Sequence, residues 1–71
     1  MGYNKRFYHE EITGRSCIDF AIGFLRAHNA PYTCKILRQQ RENALMTWSE
    51  TVYILDFVAY PHEYDALINE L

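Results

Sequence analysis

Lysine and arginine are absent from the last thirty residues of this 71-residue chain. All seven basic residues (Lys5, Arg6, Arg15, Arg26, Lys35, Arg38 and Arg41) fall within positions 1–41, beside three acids, Glu10, Glu11 and Asp19, for a net +4. Positions 42–71 hold six acids and no base, a net −6. The overall charge of −2 therefore conceals a polarised chain. Blocks of one sign either satisfy each other across the fold or face a partner of opposite sign.

Other scarcities exclude whole classes. Two cysteines, Cys17 and Cys34, are too few for a disulfide scaffold at this length. Three glycines, two prolines and no repeat leave no linker, so the chain is expected to be one compact domain, residues 1–71. No apolar run reaches the roughly 18 residues of a membrane-spanning helix. The N-terminus, Met-Gly-Tyr-Asn-Lys-Arg, lacks the apolar stretch of a secretory signal, and Arg6 stands where myristoylation after Gly2 would need Ser or Thr. The expectation is a cytoplasmic protein with two reduced thiols, no membrane partner and modest stability.

What the chain does have is rings. Six tyrosines, four phenylalanines and one tryptophan exceed what one small core needs, at roughly 150–250 Å² buried per ring. Some of them belong at the surface, where tyrosine is favoured in interfaces.

Periodicity divides the chain into six expected elements. Tyr3 to Ile12 reads as an edge strand ended by Thr13-Gly14. Ile18, Ala21, Ile22 and Leu25 follow helical spacing over Ser16–His28, with Ser16 and Asp19 resembling a capping box. Asn29 suits a left-handed helix cap, and Pro31 stops the helix. Tyr32 to Gln39 alternates as a strand, Gln40–Asn43 reads as a polar turn, and Ala44–Ser49 alternates again. A tight turn at Ser49-Glu50 then leads into Thr51–Tyr60, the most β-prone run, with a helix as its rival reading. Pro61 opens a last helix, His62–Glu70, with Tyr64, Leu67, Ile68 and Leu71 as its apolar set. The expected fold class is α+β in β-α-β-β-β-α order, an antiparallel sheet with two helices packed on one face.

The chemistry-bearing residues form no catalytic pattern. His9, Cys17, His28, Cys34 and His62 show none of the paired spacings of zinc sites. Cys17, in a helix's first turn, has the better setting for a low thiol pKa, but no histidine is placed beside it, and a packed cysteine is the simpler reading. His9-Glu10-Glu11 resembles an acid–base group superficially, since neighbours on a strand face opposite ways. The expectation is no enzyme, no metal and no cofactor.

Three binding readings remain. A protein-interaction module would present an acidic, tyrosine-containing face, Tyr60, Glu63, Tyr64 and Asp65, to a partner with a basic patch. Size and composition fit an adaptor or inhibitor of a larger partner, including those of phage or mobile elements. Alternatively, Lys35, Arg38 and Arg41, with Tyr32 and Trp48 as stacking faces, would read single-stranded RNA or DNA, although the RNP-type aromatic signature is missing. Self-association as a homodimer is the third, by head-to-tail charge contact or by strand pairing.

Overall fold

The computed structural model describes residues 4–71, so Tyr3, the expected start of the first strand, lies outside the described residues. Five elements follow in order: β1 (Arg6–Ile12), α1 (Arg15–Ala27), β2 (Tyr32–Glu42), β3 (Thr47–Ala59) and α2 (Pro61–Glu70). The class is α+β, with one antiparallel three-stranded sheet ordered β1-β3-β2. The element order corrects the sequence reading by one strand. Ala44–Ser49 and Thr51–Tyr60 are not two strands about a turn, because a single β3 runs through Ser49 and Glu50, which pair with Gln40 and Gln39.

The reason lies at Asn43. Its side-chain oxygen accepts from the backbone N–H groups of Leu45 and Met46 at 2.8 and 3.0 Å, and its own N–H donates to the Met46 carbonyl at 2.9 Å. An asparagine that satisfies the amides two and three residues on in this way fixes a tight turn. The hairpin therefore reverses at Asn43–Met46 rather than at Gln40–Asn43, and β2 extends to Glu42. Ser49 and Glu50 lack both the glycine and the Asx geometry that would compete.

Strand alternation gives the sheet two faces. Leu55, Phe57 and Ala59 of β3 are buried with Ile12, Ile18, Ala21, Leu25, Ala30 and Leu67, so residues of both helices and the sheet share one core. Tyr8, Tyr32, Cys34, Tyr53 and Tyr64 pack around it. The second face carries Phe7, His9 and Glu11 of β1, Thr33, Lys35, Leu37, Gln39 and Arg41 of β2, and Trp48 to Val58 at even positions of β3, as cross-strand register requires.

Helix α1 starts one residue earlier than its spacing suggests, and its expected capping box does not form. Gly14 is the N-cap, in extended conformation, which places Ser16 inside the first turn and leaves Asp19 to pair with Arg15 at 3.2 Å. At the other end Asn29 adopts φ 54°, the left-handed position anticipated for it. In α2 the apolar set is narrower than expected. Leu67 is buried and Tyr64 half-buried, whereas Ile68 and Leu71 face outward.

The molecule is elongated, 49 × 22 × 19 Å, with a radius of gyration of 14.4 Å. A compact chain of this length would give about 11 Å. The excess comes from the β2–β3 hairpin. β1 pairs only with Tyr53–Ala59, so Thr47–Val52 and its β2 partners project as a two-stranded ribbon.

Candidate interaction surfaces

Folding joins the two charge blocks. Three ion pairs bridge positions 1–41 and 42–71: His9 Nδ1 to Asp56 at 2.6 Å, His28 Nδ1 to Glu63 at 2.9 Å, and Arg41 Nε to Glu50 at 3.0 Å. Only Arg41–Glu50 joins two of the charges that make up the +4 and −6, because the histidines are neutral in that count.

The acidic end is drawn inward. Glu63 accepts the Tyr60 backbone N–H at 2.9 Å through Oε1 and meets His28 through Oε2, so its carboxylate is occupied on both oxygens. Tyr64 stacks on Tyr8 with ring centroids 4.0 Å apart, lies beside Phe57 and donates its hydroxyl to Glu10. That hydrogen bond, with desolvation and the Glu10 charge next, pushes the Tyr64 pKa up to about 12. Tyr60 stacks on His62 and lies under the Lys5 ammonium, and Asp65 is exposed. Of Tyr60, Glu63, Tyr64 and Asp65, the structure leaves Asp65 fully presented to solvent, with Tyr60 and Tyr64 half-buried.

The basic strand is divided between two faces. Lys35 and Arg41 share the second face with Trp48, whereas Arg38 lies on the face of Tyr32. Tyr32 itself is engaged, accepting from Arg26 Nε at 2.9 Å. No single platform gathers Tyr32, Trp48 and the three bases.

The titratable groups elsewhere sit as strand alternation dictates. His9 faces Asp56 and lies 3.9 Å from Glu11, while Glu10 turns to Tyr64 on the other side. The hydrogen bond to Asp56 raises the His9 pKa above 6.5; desolvation opposes it, and the charges of Asp56, Glu11 and Glu10 add to it. Among the described residues, no three His, Cys, Asp or Glu side chains are arranged to hold a metal ion. Cys17 and Cys34 are free, half-buried and packed against the core. No described helix is long and apolar enough to cross a membrane.

The ribbon is what sequence reasoning missed. Leu45 is 93% exposed at its tip, Ile36 71% exposed along its side, and Leu37, Met46 and Trp48 are exposed with them. Lys35 and Arg38 have no acidic group within 4.0 Å among the described residues. Where β2 meets α1, a shallow groove of about 290 Å³ is lined by Ile18, Asp19, Ile22, Cys34, Ile36 and Tyr53, with Arg15 at its edge. The available signal was Leu45-Met46, two large apolar residues next to the turn-forming Asn43. Alternation assigned them to the strand Ala44–Ser49 instead of to the turn. Neither a protein-family model nor a curated protein matches this chain.

Proposed function

We propose that this chain is a small non-enzymatic protein-interaction module that binds through its β2–β3 ribbon. The observation carrying this reading is the concentration of exposed large apolar side chains on the ribbon: Ile36, Leu37, Leu45, Met46 and Trp48. An isolated two-stranded ribbon is marginal in water, and a cluster of exposed apolar residues marks a surface that is covered in use. These side chains occupy both faces of the ribbon, Ile36 beside Arg38 on one and Leu37 and Trp48 with Lys35 on the other, so the partner that fits clasps the ribbon with an apolar patch edged by carboxylates. At the far end, Asp65 with Tyr60 offers a smaller contact for a basic partner.

The test is affinity capture from source-cell lysate, with nuclease treatment and a salt series, using the wild type, Leu45→Ser/Trp48→Ala and Asp65→Lys. A discrete protein lost with the ribbon variant but retained by Asp65→Lys supports the ribbon. Loss with Asp65→Lys alone moves the contact to the acidic end. Recovery of nuclease-sensitive RNA or DNA replaces protein binding with nucleic-acid binding through Lys35, Arg38 and Arg41.

A further inference from the structure

We infer that two copies of this chain pair through the outer edge of β2, centred on Leu37, to form one continuous six-stranded sheet. The inference rests on the ribbon reading and deepens it, since Ile36 and Leu37 serve both and the outer main-chain edge of β2 is added. β2 is an edge strand of eleven residues, Tyr32–Glu42, paired with β3 over its whole length without a register break. Neither proline nor bulge interrupts that edge, and such strands recruit another strand unless blocked.

The hydrogen-bond phase shows which groups are free. Asn43 N–H donates to Met46 at 2.9 Å and Val58 N–H donates to Pro31 at 3.0 Å. Both contacts belong to the odd-numbered set of β2, so odd residues bond inward to β3. The even residues, Tyr32, Cys34, Ile36, Arg38, Gln40 and Glu42, direct their N–H and C=O groups to the outer edge.

Charge and length of pairing together select the register: centred on Ile36 or Gln39 no like charges oppose each other, but only nine or seven residues of β2 pair. A two-fold axis perpendicular to the sheet pairs residue i with a residue of equal parity on the second copy. Centred on Arg38, the pairing sets Arg38 against Arg38 and Lys35 against Arg41. Centred on Lys35, it sets Lys35 against itself. Centred on Leu37, it uses all eleven residues: Ile36 faces Arg38, Lys35 faces Gln39, Cys34 faces Gln40, Thr33 faces Arg41 and Tyr32 faces Glu42. No like charges meet there. Two exposed leucines meet at the axis, and each exposed Ile36 gains the aliphatic stem of an Arg38. Arg38 and Gln40 of the second copy also fall beside the Cys34–Ile36 wall of the groove, towards Asp19.

Space permits the arrangement. The two Cys34 positions stand six residues apart along the strands, about 20 Å, which accommodates an α1 of about 10–12 Å diameter from each copy. Each projecting ribbon then lies along the other instead of standing alone in water.

The experiment is analytical ultracentrifugation across a concentration series, joined to mild oxidation of single-cysteine additions. Wild type is expected to dimerise reversibly, and Leu37→Lys, which sets two cations across the axis, to weaken the dimer at least about tenfold with an unchanged circular dichroism spectrum. Leu37→Cys is expected to form a disulfide dimer, because directly opposed residues that share no hydrogen bonds lie about 4.5 Å apart at Cα, within disulfide reach. Lys35→Cys, which faces Gln39, and the wild type with its own Cys17 and Cys34 serve as controls and should not crosslink. A wild-type chain that stays monomeric at every concentration overturns the inference. So does a dimer that survives Leu37→Lys, or equal crosslinking at positions 35 and 37.

Discussion

The Glu63 carboxylate ties the start of α2 to the end of α1, holding the Tyr60 backbone N–H with one oxygen and His28, the C-cap of α1, with the other. A helix N-terminus leaves amides without intrahelical partners, and an acidic side chain there satisfies one of them and favours the helix dipole. Glu63→Ala is expected to destabilise the fold by about 1–2 kcal/mol, in line with the loss of other helix caps. Glu63→Gln keeps an acceptor for Tyr60 and should cost less than the alanine variant. Urea denaturation of the two variants tests the ranking; equal losses would assign the effect to the negative charge of the Glu63 carboxylate rather than to its acceptor role at Tyr60.

Tyr64 and Glu10 join α2 to β1 on the core side of the sheet. A phenol whose pKa is raised from 10.0 to about 12 prefers its neutral form in the native state. The stability this contributes is complete below pH 10 and is lost as pH rises from 10 towards 12. Ultraviolet titration of the phenolates should therefore show one late tyrosine, missing in Tyr64→Phe. That substitution retains the ring stacked on Tyr8 and is expected to cost about 1 kcal/mol for the lost hydrogen bond.

His9 and Asp56 form a cross-strand pair between β1 and β3 at 2.6 Å. The imidazolium is favoured in the folded state, so its contribution is fully present below the unfolded value of 6.5 and disappears as pH rises through the higher folded value. NMR titration of the His9 ring should give a midpoint above 6.5, returning towards it in Asp56→Asn. A midpoint unmoved by Asp56→Asn would leave the two glutamates of β1 as the cause.

Where one local interaction decided the outcome, the sequence was readable. Asn29 stops α1 in the left-handed conformation its side chain tolerates, and the apolar spacing of Ile18, Ala21 and Leu25 marked the buried stripe. Strand alternation alone separates Glu10 from His9 and Glu11. The hairpin was misplaced because the four polar residues Gln40–Asn43 look like a turn, while the actual turn depends on one Asn43 side chain reaching two amides. The internal contacts of the acidic end were illegible for a different reason. Glu63 and Tyr64 found partners, His28 and Glu10, that lie 35 and 54 positions away in sequence, and no local pattern announces such pairs.

Leu67 and Leu45 mark opposite extremes of the same chain. Leu67 is the one buried residue α2 supplies to the core at 1% exposure, whereas Leu45 stands in solvent at the ribbon tip. Leu67→Ala removes core contacts that the small fold cannot replace, and a loss of about 2–5 kcal/mol is expected. A domain of this length is worth roughly 4–10 kcal/mol in all, so α2 should detach or the whole chain unfold. Leu45→Ser should shift stability by less than about 0.5 kcal/mol, as at other exposed sites. Hydrogen exchange adds a spatial check: amides of Thr47–Thr51, paired on one side only, should exchange well before those of Leu55–Ala59. Equal protection along β3 would mean that its free edge at Thr47–Thr51 is covered in solution, which pairing of two β2 edges does not do.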